Sequence, residues 1–535
     1  MHNPGLISTL IFFLSFLEVG FSQPTFSKDV APIIFKHCTS CHRQGEIGPM
    51  ALTNYEQVKN WASTIKYVTG NKIMPPWKAD ETYSRFVDEN YLSTSQIKTI
   101  SDWVNGGSPQ GNAGDTPKLP VFPINSLLGT PDLVLPFKKS YIHKGNGKDE
   151  YRYFVIPTGL TESKKIKAIE LRPGNKKIVH HALFFADQSG KAKQYDDKTP
   201  EYGFSANDNA DFRVFEVISR DQFPGYVPGQ KPRNFPDGLA QILPANSDLV
   251  MQMHYAPWSV DEADSSSINI FFAKENEVID RTVKDYIMLP FNLVTGPTSF
   301  VIFPNQVKKF EGVYTVPADI SLVGIFPHMH LLGKNWEVFV ENTDGTKTNL
   351  IKINDWDFNW QGGYYFDRYK IVKQGSKIRA FATYDNTLNN PNNPNNPLKA
   401  VSWGEGTKDE MYYLPLLYVP YKPGDENTIF DAHTSSTQNI NNVSPLKALL
   451  YPNPVSNNNQ LPVHITFEME TGATAMIDIF NSNGQLVRKL RDNEYFAQGK
   501  HIVHLQANHL PGGNYVVRIA AGGRYATLPL VIINE

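Results

Sequence analysis

The only two cysteines of the chain stand in Cys38-Thr39-Ser40-Cys41-His42. At this spacing two thiols add to the two vinyl groups of a haem while the adjacent histidine ligates the iron. A small disulfide or a thioredoxin-like pair needs no histidine directly after the second cysteine. The motif therefore points to one covalent c-type haem held by Cys38, Cys41 and His42. A second axial ligand is needed, and a thioether sulfur suits it. Met74 lies in Lys72-Ile73-Met74-Pro75-Pro76-Trp77, where consecutive prolines forbid regular helix and stiffen the loop. Met50, in Gly48-Pro49-Met50, is the competitor and serves equally as a core gap-filler. Met74 is preferred.

Histidine supplies the second set of metal-ligating residues. Six histidines fall between residues 113 and 430, and five of them sit in three tight settings: His180-His181, His254, and His328 with His330, His143 being the exception. Residues two apart on a strand share a face, so His328 and His330 in Pro327-His328-Met329-His330 can reach one metal while Met329 points away. Strand neighbours point to opposite faces, so a metal shared by His180 and His181 requires the strand to end or bulge between them. Imidazole suits copper, zinc, iron and nickel, whereas a thioether favours Cu(I). Met411, in Asp409-Glu410-Met411, would complete a two-His-one-Met set that argues for copper. Three histidines alone are less selective and are also a catalytic zinc set. Taken singly, each histidine is an ordinary strand residue with a satisfied hydrogen bond.

The elements that must position these residues differ along the chain. At 535 residues several domains are expected. Ile97, Ile100, Trp103 and Val104 recur at helical spacing before a Gly106-Gly107 stop, so residues 24–112 read as a small helical domain. From residue 113 the segments 177–186, 248–255, 267–273, 321–330 and 377–384 are short, rich in β-branched and aromatic residues, and bounded by Pro, Gly, Asn or Asp. They predict two β-sandwiches, residues 113–280 and 281–430. Residues 431–447 are a polar linker. The C-terminal stretch, residues 448–535, predicts strands near 463–468, 475–480, 501–505 and 514–519, two of them joined by a hairpin-like turn at residues 481–485.

Three resemblances add to this reading. The haem motif and the Met-Pro-Pro-Trp loop make residues 24–112 resemble a small α-helical cytochrome c domain. Ile178-Val179-His180-His181, Leu243-Pro244 through Met251-Gln252-Met253-His254-Tyr255, Pro327-His328-Met329-His330-Leu331-Leu332-Gly333-Lys334 and Asp409-Glu410-Met411 resemble, in order, the ascorbate-dependent type II copper monooxygenases, the family of the peptide-amidating and dopamine-hydroxylating enzymes. That likeness implies two jelly-roll-like copper domains facing each other across a solvent-filled cleft. It further implies an electron-transfer copper on His180, His181 and His254, and a dioxygen-activating copper on His328, His330 and Met411. The opening Tyr451-Pro452-Asn453-Pro454 and the ending Gly513-Asn514-Tyr515-Val516-Val517-Arg518-Ile519 resemble the C-terminal β-sandwich sorting domain of type IX secretion substrates from the Bacteroidetes.

The expected whole is thus a multidomain, mainly β protein. Its expected cofactors are one haem c and two copper ions, and it would hydroxylate an unknown small-molecule or peptide substrate with dioxygen. The fused haem would supply electrons from an external donor. Animal members of the copper family use several disulfides; here no cysteine is left over, and Tyr412 stands where those members often have one. The amidating enzymes place an arginine two residues before the His-x-His pair, where this chain has Phe326, a change that speaks against a peptidylglycine substrate and for an apolar or aromatic one. Residues 1–22 read as a signal peptide, with an apolar run from Leu6 to Val19 and small Gly20 and Ser22 before the cut. Export through the periplasm of a Bacteroidetes-like bacterium, to the surface or the medium, is expected, with the type IX secretion machinery as a partner. Lys+Arg 51 against Asp+Glu 53 leaves no basic stripe for nucleic acid, and no later segment is apolar enough for a membrane span. The alternative is a haem-copper electron carrier, or a copper-binding protein, without oxygenase activity.

Overall fold

The computed structural model describes residues 23–122, 126–205, 222–430, 446–458, 462–469, 471–481, 486–521 and 524–533. The expected signal peptide, residues 431–445 of the linker and turn residues 482–485 lie outside the described residues. The chain divides into two compact units, Met1–Asp431 and Ala432–Glu535.

The first unit opens with α1 (Ala31–His37), α2 (Tyr55–Asn60), α3 (Ala62–Gly70) and α4 (Thr94–Asn105). Ser93 and Gln96 form a capping box at the start of α4, and Gly106 caps its end. Ile100 and Trp103 join Phe26, Val30, Ile34, Val58 and Ile65 in a helical core. The region read as residues 24–112 is nevertheless not self-contained. After Pro75 and Pro76 the chain runs as an irregular loop with turns at residues 81–83 and 87–88, and its apolar side chains bury elsewhere. Ala79 and Phe86 lie in the core of the second sandwich, bridging Ile353 and Phe366. Phe86 stacks on Phe366 at 5.5 Å and Trp77 meets Tyr364 edge-on at 5.3 Å.

The first sandwich pairs two five-stranded sheets. One sheet runs Leu133–Pro136, Ser267–Phe272, Lys164–Arg172, Leu239–Leu243, Arg281–Thr282. The other holds β1 (Glu150–Pro157), β2 (Val179–Asp187), β3 (Gln222–Tyr226) and β4 (Asp248–Tyr255), in the order Phe204–Ser205, β1, β4, β2, β3. Alternate residues such as Phe154, Ile156, Ala182, Phe184, Met251 and Met253 meet Ile166, Ile169, Ile268 and Ile270 of the opposite sheet, the two-residue period of a half-buried strand. Arg281–Thr282 still pairs with Leu239–Leu243, and Lys284–Met288 already belongs to the second sandwich. The break therefore falls at Val283.

In the second sandwich, β5 (Ile320–Ile325) and β6 (Leu414–Pro420) lie side by side, flanked by Tyr364–Val372 and Lys284–Met288. The facing sheet runs Gln306–Thr315, Lys377–Asn386, Gly333–Glu341, Lys347–Ile353. The second unit has a three-stranded sheet around Val463–Met469 and a five-stranded sheet around Gly513–Ala521, closed over Ile465, Phe467, Ile477, Val517 and Ile519. Among the described residues no helix is long and apolar enough to cross a membrane.

Candidate metal centres

β2 and β4 pair antiparallel, with Val179 opposite Tyr255 and His181 opposite His254, and the register slips between these pairs. His180 is the extra residue, so the bulge required by a shared metal falls at this position. The Nδ1 atoms of His180, His181 and His254 lie 3.1 to 3.3 Å apart. Nitrogens about 2.0–2.1 Å from a tetrahedral ion stand about 3.3–3.4 Å from each other, so these donors are spaced for one ion. His254 Nε2 donates to Asp149 Oδ1 at 2.6 Å. A carboxylate only accepts, so the proton sits on Nε2 and the Nδ1 lone pair faces the other two rings. Burial, reinforced by the neighbouring rings, pushes His180 down to about 4 and holds His181 well below the usual imidazole range. Burial also lowers His254, against the opposing pull of Asp149. All three are thus neutral near pH 7, as metal ligation requires. Tyr151 stacks on His254 with centroids 4.3 Å apart, and its hydroxyl meets Thr407 Oγ1 at 3.1 Å.

The second set is built differently from the strand expected over residues 321–330, because β5 ends at Ile325. The N–H groups of Phe326 and His328 still donate to the carbonyls of Pro415 and Tyr413, at 3.0 and 2.9 Å. After His328 the chain leaves this ladder. His330 N–H donates instead to Glu410 Oε2 at 2.9 Å, Leu332 N–H to Oε1 at 2.6 Å and Met411 N–H to Oε2 at 3.2 Å. Glu410 is 0 % exposed, and this clamp, rather than regular strand alternation, holds the His-x-His segment against Met411. Burial pushes the Glu410 carboxyl up to about 8, with the N–H donors pulling against it. His330 Nδ1 donates to the Asp409 carbonyl at 3.0 Å, which leaves Nε2 free to ligate. The rings of His328 and His330 are perpendicular with centroids 5.1 Å apart. Burial pushes His328 down to about 3 and His330 to about 4. Met329 is buried in the core, on the side away from the site.

The two sets meet. His181 and His328 have ring centroids 6.3 Å apart, closer than the resemblance to a cleft-separated pair implies. Phe358 packs against both sets, 6.0 Å from His180, 6.2 Å from His254 and 5.7 Å from His330. A cavity of about 870 Å³ opens on His181, His328, His330 and Met411 and is walled by Tyr151, Phe326 and Tyr413. Phe326 therefore does project toward the site, where it packs edge-on against Tyr365.

At the haem motif, Cys38 caps the end of α1, and the N–H groups of Cys41 and His42 donate to the Cys38 carbonyl at 3.2 and 2.9 Å. The two thiols are not joined to each other, and burial pushes Cys38 up to about 12. His42 Nδ1 donates to the Met50 carbonyl at 3.2 Å, leaving Nε2 for a metal. Gly48 packs so closely on this turn that a Cβ there would lie 2.8 Å from His42 Nδ1. The Met50 side chain packs against the helical core with Cys38. Met74 is half-buried, and its N–H is tied to the Val68 carbonyl at 3.1 Å.

Sequence reasoning missed Asp149, Phe358 and the clamping role of Glu410. Glu410 was visible beside Met411, but nothing in its spacing foretells a carboxylate that replaces a strand partner.

Residues 449–534 match the family model of the secretion system C-terminal sorting domain. The putative DBH-like monooxygenase protein 2 of Homo sapiens is 25% identical over 256 residues, covering 46% of this chain and 48% of that protein. The chain thus spans about half the length of this curated relative. Among solved structures, a β-glucuronidase from Faecalibacterium prausnitzii is 9% identical over 43% of this chain and 38% of its own, with a TM-score of 0.13. The adhesin domain of Epf from Streptococcus pyogenes is 11% identical over 48% of this chain and 79% of its own, with a TM-score of 0.14. Neither structural likeness bears on fold or function. This C-terminal sorting domain indicates export, to the cell surface or the medium.

Proposed function

We propose that the chain is an exported copper-dependent monooxygenase whose fused c-type haem supplies its electrons. The observation that carries this reading is the close approach of two chemically distinct donor sets, three clustered Nδ1 atoms on one side and His328, His330 and Met411 on the other, with His181, His328, His330 and Met411 all lining one aromatic-walled cavity. The similarity to a DBH-like monooxygenase supports it. His180, His181 and His254 would hold one copper and His328, His330 and Met411 the other, the thioether favouring Cu(I). Cys38, Cys41, His42 and Met74 would hold the haem. Bound there, these groups would supply one-electron transfer and dioxygen activation.

The protein's own part is orientation and exclusion of water. Asp149 fixes the tautomer of His254, the Asp409 carbonyl fixes that of His330, and burial keeps all five rings neutral. Tyr151, Phe326 and Tyr413 line the cavity with aromatic surface, which suits an apolar or aromatic substrate.

The test is dioxygen consumption by copper-loaded, haem-bearing protein with reductant and candidate aromatic substrates. Hydroxylated product in proportion to dioxygen used, abolished in His330→Ala and Met411→Ala, is expected. Metal-loaded protein that passes electrons but never consumes dioxygen would establish the electron carrier instead. Cys38→Ala with Cys41→Ala should lose the denaturation-resistant haem, and Met74→Ala should alter the Met-to-iron absorption while Met50→Ala should not.

A further inference from the structure

The haem motif and the three-histidine site are joined by one short run of backbone. Gly229 approaches the Cys41 thiol so closely that a Cβ built on it would lie 3.3 Å from Sγ, and its φ of +82° independently favours glycine. Three residues earlier, Tyr226 closes β3, and its register partner on β2 is Ala182. Ala182 is covalently next to His181. Gly225 tightens this pairing, since a Cβ there would stand 2.6 Å from the Ala182 carbonyl oxygen. Tyr226 and Gln230 reach both ways. They line the small cavity beside Cys41 as well as the large one beside the histidines, and Gln230 Oε1 accepts from Gly363 N–H at 3.0 Å. The joint is clasped by Lys176, which bonds Glu46 at 2.7 Å, and Glu46 in turn holds Arg43 at 2.6 Å.

We propose that residues 226–229 are the electron bridge between the two redox halves of the chain. They would carry one electron at a time from a haem on Cys38 and Cys41, through the Cys41 contact with Gly229 and the Tyr226–Ala182 pairing, to the site of His180, His181 and His254. Each transfer oxidises one ferrous haem to ferric and reduces one Cu(II) to Cu(I), and an external one-electron donor restores the haem. The bridge rests on the haem and copper occupancy proposed above. It goes further by assigning the route to residues that ligate nothing.

The test follows haem absorbance after rapid photoreduction of the full chain, without dioxygen, in samples whose haem and copper contents have first been measured. Reoxidation in step with loss of the Cu(II) paramagnetic signal, at a rate independent of protein concentration, is expected. Gly229→Val must push the sulfur away, and Lys176→Glu sets two carboxylates against each other at the clasp. Each should slow reoxidation several-fold at unchanged haem and copper contents. A rate that rises with protein concentration would overturn the bridge, because transfer would then run between molecules. So would an unchanged rate in Lys176→Glu and Gly229→Val, with ascorbate-driven turnover still present to show that the copper reading survives. Samples that bind no haem or no copper would overturn both proposals together.

Discussion

His254 donates its Nε2–H to Asp149 Oδ1 at 2.6 Å, and this bond decides which nitrogen of the ring faces His180 and His181. Carboxylates that orient a ligating imidazole in this way typically contribute about 10- to 100-fold to metal affinity. Asp149→Asn should therefore keep the metal stoichiometry but weaken binding at the three-histidine site by about that factor. Competition titration with a Cu(I) chelator measures it, and unchanged affinity would show that Asp149 has no orienting part.

Glu410 holds the second set together from beneath. Three backbone N–H groups share its two oxygens, and Gln keeps one acceptor oxygen but puts an amide NH₂ in place of the other, so at least one of the three loses its acceptor. The loss is expected to be about 1–3 kcal/mol of stability. Glu410→Gln should also loosen Cu(I) at the His328, His330 and Met411 site more than at the other. Denaturant melts and metal titration of the same variant separate the two effects.

Phe86 is 1 % exposed and lies in the core of the second sandwich, although its sequence position is in the cytochrome-like region. Phe86→Ala should cost about 3–5 kcal/mol. Amide exchange should show the opening in strands such as Gly333–Glu341 and Tyr364–Val372 before it reaches α1 and α4. Removal of residues 24–112 would take Phe86 away altogether, so the chain truncated in this way should be destabilised in the same strands.

Asp425 accepts from both ends of the Arg281 guanidinium, at 2.7 and 2.9 Å, and from Ser321 at 2.6 Å. Burial pushes its pKa up, but Arg281 and Ser321 outweigh burial and hold it below the usual carboxylate range. A depressed folded value means a stabilisation present above the unfolded value of about 3.9 and lost as pH falls through the folded one. The melting-temperature gap between the native chain and Asp425→Asn should therefore be widest near neutrality and close below about pH 4. A gap that stays constant down to pH 2 would contradict this assignment.

Much of this was legible in the sequence because local chemistry wrote it there. The helix around Ile100 and Trp103, with its Gly106 stop, followed from periodicity. The bulge at His180 followed from the demand that adjacent residues share a face. Long-range partnership was not legible. No spacing rule pairs Asp149 with His254 or brings Phe358 against both histidine sets. Regular alternation through residue 330 was the natural reading of Pro327-His328-Met329-His330, and the buried Glu410 replaces it. The helical region looked self-contained because Trp77, Ala79 and Phe86 carry no mark of which core they enter.

On the function proposed above, five histidines and Met411 make two copper sites and not one. With His181 and His328 only 6.3 Å apart, a single shared ion is the direct competitor. Copper per chain, measured by elemental analysis after loading and desalting, decides between them. Two ions in the native chain are predicted, with one remaining in His254→Ala, one in His330→Ala and none in the double variant. One ion in the native chain that either single substitution abolishes, or zinc retained in preference to copper at both places, would rule out two copper sites.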